Sequence, residues 1–259
     1  MTDNLFVHRF GSSGPVRVLA IHGLTGHGRR WQHLTEQHLP GVAVAAPDLL
    51  GHGRSSWAAP WTIEANVAAL AALLDGQADG PVVVTGHSFG GAIALQLAVA
   101  HPDLISAVVL LDPAVGLDGT WMADIAAAML AAPDYTDRAE ARAEKANGSW
   151  ADVPDAILDA ELDEHLIALP NGRVGWRISI PAMMAYWSEL ARAIVLPPAG
   201  IATTLIRATM TSPPYVSDGL IAGLQERLGA HFRLVDLPCL HMVAQARPAE
   251  VAAVIRGHL

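Results

Sequence analysis

Four short stretches in the first 111 residues, 16–21, 42–46, 82–85 and 107–111, are apolar at nearly every position instead of every second one. A strand with one wet face alternates polar and apolar side chains. One that is apolar throughout must be covered on both faces, which is the environment of a central parallel strand. Parallel neighbours need crossovers, and two intervening segments have helical spacing: 62–75, with Thr62 placed as its N-cap, and 89–101, closed by Pro102. The strand signal then disappears. Between 116 and 200, four helices are expected at 119–132, 136–147, 155–168 and 181–194, separated by Pro, Gly and Asn breaks. Alternation resumes with strand-like 202–208, a helix at 217–228, strand-like 231–237 and a last helix at 248–257. The expectation is an α/β fold: a mostly parallel central sheet flanked by helices, its core formed by 1–115 and 201–259, with an inserted helical lid at 116–200.

Composition narrows the partners. The 259 residues are 52% hydrophobic and 16% charged, which suits one large core better than a disordered chain. Sixteen Lys and Arg against twenty-five Asp and Glu give a formal charge of −9, the wrong sign for gripping nucleic acid or an anionic membrane. Unbroken apolar runs such as 67–74 reach only eight residues, short of the roughly 20 that a spanning helix needs, so no stable membrane insertion is expected. Residues 1–15 carry Asp3 before any Arg and no long apolar stretch, unlike a secretory signal, and a cytoplasmic location is the corresponding expectation. The single Cys239 excludes an intrachain disulfide framework and a clustered-Cys zinc site.

The strongest chemical signal is Gly86-His87-Ser88-Phe89-Gly90-Gly91, lying between the strand-like run that ends at Thr85 and the helical stretch that starts near Phe89. A serine raised on a sharp strand-to-helix turn crowds its neighbours, so Gly86 and Gly90 must lack side chains. The N-terminal end of the following helix favours an anion at the serine. A serine hydroxyl needs a base, and among twelve histidines only His241 combines a late position with a loop between a strand and a helix; His231 opens a strand and His258 lies at the chain end.

His22-Gly23, Gly51-His52-Gly53-Arg54-Ser55, the turn around Ser88 and the late His241 together resemble the α/β-hydrolase superfamily, and within it the serine esterases and lipases of actinobacteria. The resemblance runs from about Phe6 to Leu259. It implies an oxyanion hole of two backbone N–H groups, those of Phe89 and Leu24, with His22, His52 and His87 as structural residues. The third catalytic residue departs from the usual pattern, because the stretch where most relatives carry the acid, 205–213, contains no carboxylate. A variant of the superfamily places the acid at the end of the preceding strand, here Asp112 in Leu110-Leu111-Asp112-Pro113. Asp112 could instead bond the backbone of a loop, since Asp-Pro opens turns. Asp218 is the reserve acid, although beside Ser217 it reads as part of a helix cap.

The expected activity is hydrolysis of a small-molecule carboxylic ester with an apolar acyl group, through an acyl-enzyme, with no cofactor and no metal. Thioester, lactone or carbon-carbon bond hydrolysis with the same residues is the alternative, and a non-turnover ligand receptor is the alternative of another class. Trp121, Trp150, Trp176 and Trp187 fall in the 116–200 segment and would suit an acyl pocket, or simply hold its helices together. The mixed-charge run 137–145 is expected to be a solvated helix face, and Cys239 a buried thiol.

Overall fold

The computed structural model describes residues 5–259. Met1 to Asn4, which head the segment compared with a secretory signal and the 1–115 core range, lie outside the described residues.

The chain opens with β1 (Val7–Phe10) and β2 (Val18–Ile21), followed by a short 3-10 turn at Gly28–Trp31 and α1 (Gln32–His38). β3 (Val44–Pro47), α2 (Ile63–Asp75), β4 (Val82–His87), α3 (Phe89–Ala100) and β5 (Ile105–Leu111) come next. α4 (Gly119–Ala131), α5 (Arg138–Asn147), α6 (Asp155–His165), β6 (Leu166–Ala168), β7 (Val174–Trp176) and α7 (Ile180–Glu189) make up the excursion after β5. The chain finishes with β8 (Ala202–Ala208), α8 (Asp218–Leu228), β9 (Phe232–Leu237), α9 (Val243–Ala246) and α10 (Pro248–Arg256). Seven strands form one sheet in the order β1-β3-β2-β4-β5-β8-β9, parallel except where β1 pairs with β3.

The continuous apolar runs are explained by two cores, one on each face of the sheet. Val82, Val84, Val108, Leu110 and Leu205 point into a core with α2, α3 and α8. Their neighbours Val83, Ala107, Val109, Leu111 and Ile206 point into the other, with residues of α1, α9 and α10. Alternate side chains thus reach opposite faces and both faces are dry. α2 starts where its cap predicts, with the Thr62 hydroxyl accepting from the Ala65 amide at 3.1 Å. Parallel register aligns Gly86 with Leu110, His87 with Leu111, and Leu111 with Ile206, which brings the C-terminal ends of β4, β5 and β8 side by side.

The excursion differs from four plain helices. The helix expected over 155–168 stops at His165, because 166–168 pair antiparallel with 174–176 as a hairpin. Its Asn171-Gly172 turn, with Gly172 at φ 80°, is a signal for a hairpin between two short apolar runs. α7 ends at Glu189, short of the expected 194. Tyr135, Ala141, Trp150, Val153, Leu158 and Leu162 bury a small core of their own, joined by Met242 from the main body. Among the described residues no helix is long and apolar enough to cross a membrane.

Candidate active site

Ser88 sits one residue past β4 with φ 52° and ψ −118°, a conformation that costs an ordinary side chain about 1–3 kcal/mol. Its surroundings hold it there. The Ser88 N–H donates to Leu111 O at 3.0 Å, while its carbonyl accepts from Gly91 N at 2.9 Å and Ala114 N at 3.1 Å. The flanking glycines are steric necessities: a Cβ on Gly86 would stand 2.2 Å from Gly90 O, and one on Gly90 would stand 2.4 Å from Ile21 O. α3 begins at the next residue, directing its N-terminus at the serine.

Asp112 directly follows β5 as Ser88 directly follows β4, and also has a positive φ, 42°. Its N–H extends the sheet by donating to Ile206 O at 2.8 Å. The side chain is 1% exposed and divides its two oxygens: Oδ1 accepts from Ala208 N at 3.2 Å, and Oδ2 lies 2.6 Å from His241 Nδ1. The strand without a carboxylate therefore contributes a backbone donor to the acid of its neighbour. Asp218 is exposed in the first turn of α8, next to Ser217, whose hydroxyl caps Leu220 N at 3.1 Å. The carboxylate can only accept, so His241 Nδ1 is the donor of this contact and Nε2 is the ring nitrogen turned away from Asp112.

The loop that carries His241 is held from three sides. Asp152 Oδ2 accepts from Leu240 N at 2.9 Å, His87 Nε2 donates to His241 O at 2.7 Å, and the Tyr215 ring stacks on the imidazole with centroids 4.1 Å apart. The loop after β2 runs directly against the serine, since a Cβ on Gly23 would lie 2.9 Å from Ser88 Cβ. The amides of Leu24 and Phe89 donate to no other protein group among the described residues.

A serine on a strained strand-to-helix turn, at the C-terminal end of the central strand of a doubly covered parallel sheet, thus lies beside an Asp–His pair. Residues 18–254 match the Alpha/beta hydrolase family. The chain belongs to that family. It is 68% identical to Lipase LipV of Mycobacterium tuberculosis (strain ATCC 25618 / H37Rv), over all of this chain and 99% of the relative. Among solved structures it resembles E-2-(acetamidomethylene)succinate hydrolase, with a TM-score of 0.82 and 21% identity over 98% of this chain and 94% of that one. A marine microorganism esterase gives a TM-score of 0.79 with 22% identity over 99% of each chain. At these identities the structural likeness is one of fold.

In this α/β-hydrolase the other histidines near the serine are locked into structure. His22 Nε2 accepts from Leu49 N at 2.9 Å, so Nδ1 carries the proton that bonds Gly23 O at 2.8 Å. Burial, then the nearby His52, holds its pKa well below the ordinary imidazole value. Burial lowers His52 to about 4. Burial likewise lowers His87, whose Nε2 proton is committed to the His241 carbonyl. The Gly51–Ser55 stretch wraps Asp48, which accepts from Gly28 N at 2.7 Å and Arg54 N at 2.8 Å. Cys239 is buried, which pushes its thiol up to about 11 and leaves it inert.

Sequence reasoning missed two features. Tyr215 carries no motif; only the fold brings it onto His241, with the Trp121 ring tilted against it at 5.4 Å. The 137–145 run is not wholly solvated, because the Lys145 side chain is only 10% exposed and lies against Glu161, Trp150 and Trp176. Trp150 and Trp176 thus brace the excursion, and of the four tryptophans Trp121 is the one linked through Tyr215 to His241. A cleft of about 520 Å³, lined by His27, Arg30, Trp150, Ile157, Glu161 and Gln245 among others, contains none of Ser88, Asp112 and His241.

Proposed function

We propose that the chain hydrolyses carboxylic esters through an acyl-enzyme formed on Ser88. His241 Nε2 takes the hydroxyl proton as Oγ attacks the ester carbonyl, and Asp112 orients and stabilises the resulting imidazolium. The amides of Leu24 and Phe89 receive the oxyanion, each worth roughly 2.7–4 kcal/mol in comparable sites. The alcohol leaves with the proton from His241. Water, deprotonated by the same imidazole, then releases the acid and restores the serine. The observation that carries this reading is the 2.6 Å Asp112–His241 contact beside a serine held at φ 52°. The relative named Lipase LipV supports the same reaction class.

Residues 116–200 act as a lid on a core formed by 1–115 and 201–259, with Trp121 and Tyr215 forming an aromatic approach to His241. The substrate is a small ester with an apolar acyl group, of short to medium length and taken from solution. A fluorophosphonate probe should label Ser88 stoichiometrically, and Ser88→Ala should abolish both labelling and hydrolysis of p-nitrophenyl esters. Labelling that persists in Ser88→Ala, or hydrolysis without it, overturns the assignment. Negligible rates on soluble esters, with a sharp rise once a long-chain triglyceride emulsifies, would instead make the lid an interfacial one.

A further inference from the structure

The loop after β2 contains a conformational oddity one residue from the proposed oxyanion donor. Gly23, Leu24, Thr25 and Gly26 form a turn closed by Gly26 N donating to Gly23 O at 3.1 Å. Thr25, the third residue, has φ 58°. That position of a turn normally takes Gly or Asn, and a β-branched residue there is held against its own preference. Two donors grip its carbonyl: Arg30 Nη2 at 3.1 Å and His165 Nε2 at 3.0 Å.

Neither donor is free to move. His165, at the end of α6 and 1% exposed, is stacked between His27 at 4.7 Å and Trp176 at 5.9 Å. Arg30 Nε lies 3.0 and 3.1 Å from the two oxygens of Glu161, also on α6, and both side chains are almost fully buried. Gly26 leaves space for the guanidinium, since a Cβ there would stand 2.7 Å from Arg30 Nη1.

The grip reaches the Leu24 amide through two peptide planes. In a trans peptide the C=O and N–H point in opposite directions. The Thr25–Gly26 peptide is held at its oxygen by Arg30 and His165, which drives its N–H onto Gly23 O. The Gly23–Leu24 peptide is then held at its oxygen by Gly26 N and by His22 Nδ1 at 2.8 Å. Its other end, the Leu24 N–H, is thereby fixed in the opposite direction.

We infer that His165 and Arg30 are positioning residues for the oxyanion hole, so that the 116–200 segment, through α6, sets the aim of the Leu24 amide as well as covering the site. This rests on the proposed serine mechanism. Misaiming one donor costs less than deleting it, and deletion in comparable sites costs about 10²–10³ in kcat.

The test compares His165→Phe, which keeps a stacking ring but loses the N–H, with His165→Gln, which restores an N–H near the same place. Rates are normalised to sites titrated to completion with fluorophosphonate. The expected result for His165→Phe is a fall in kcat of about 10- to 100-fold, with KM within about twofold of wild type. Affinity for an alkyl boronic acid, which forms a tetrahedral adduct on the serine, should weaken in parallel, and His165→Gln should recover most of both losses. Arg30→Lys keeps a charge for Glu161 but withdraws the second arm, and should give the same signature should His165→Phe fail to fold. Unchanged kcat per titrated site in the folded variants, or a loss that falls on KM alone, overturns the inference. A wild type that is not labelled at Ser88 overturns the serine mechanism itself, and this inference with it.

Discussion

At the scale of single residues, the acid is where pattern and physics had to be weighed against each other. Asp112 is the first of two candidate carboxylates in the sequence, where a catalytic role is favoured over a turn-opening one. What supports the proposed assignment is spatial: its Oδ2 lies 2.6 Å from His241 Nδ1, while Asp218 is exposed beside a helix cap. Asp112→Asn should keep the fold and the labelling of Ser88 while losing about 10⁴ in kcat, as expected when the imidazole loses its orienting carboxylate. Asp218→Asn should stay near wild type in the same steady-state assay. If Asp218→Asn is the inactive variant, the roles are reversed. The glycines predict a different kind of failure. A methyl on Gly86 would fall 2.2 Å from Gly90 O, so Gly86→Ala should yield little folded protein, read as loss of soluble material and of the cooperative melt. Ser88, His241 and these glycines could be read directly because each belongs to a local pattern. Tyr215 and Thr25 could not, since the stacking of one and the backbone angle of the other are products of distant chain segments.

At the scale of elements, β2, β3, β4, β5 and β8 are visible because runs apolar at nearly every position reflect two dry faces, and α2, α3, α8 and α10 because of their helical spacing. β1 is not, because a half-buried edge strand of four residues leaves little pattern. The seam between the excursion and the body is equally hidden, because it is built from charges on separate elements. Glu161 on α6 faces Arg30 and His27 from the body and Lys145 from α5, at 3.0 Å, 2.8 Å and 3.1 Å. Arg29 and Arg54 reach Glu164 one turn on. Arg30 and then Lys145 hold the Glu161 carboxyl well below its usual range despite its burial, whereas burial, against the pull of Glu161, lowers Lys145 to about 8. Such a group is costly to delete from one side, since its partners remain buried and unpaired. Glu161→Ala should destabilise by about 3–5 kcal/mol, lowering the thermal midpoint by on the order of 10 °C. A midpoint within 2 °C or so of wild type would mean that the seam contributes little net stability.

At the scale of the whole molecule, the buried neutral histidines set an acid limit. His22, His52, His87 and His165 all have pKa values lowered by burial, with His52 moved from 6.5 to about 4. The unfolded chain therefore takes up protons first as pH falls below about 6.5, so this contribution to stability is intact above that value and declines below it. For His52 the decline continues down to about pH 4 and amounts to roughly 3 kcal/mol. Denaturant midpoints measured at pH 8.5, 7.5, 5.5 and 4.5 should be flat between the first two and then fall, and a midpoint that rises on acidification would contradict the neutral assignment. The order of elements along the chain has a further consequence. Ser88 and Asp112 close adjacent parallel strands within one β-α-β unit, and the long excursion and β8 both come after them. On the proposed assignment, a cut in the loop before β8 would leave nucleophile and acid together on one fragment, with the base alone on the other. Neither piece could turn over by itself, and mixing them would report their reassembly as restored catalysis. The same order means that the spacing between nucleophile and acid is already set before the excursion begins, so that a different excursion grafted in its place would have to supply only the supports that His165, Glu161 and Asp152 give to the neighbouring loops.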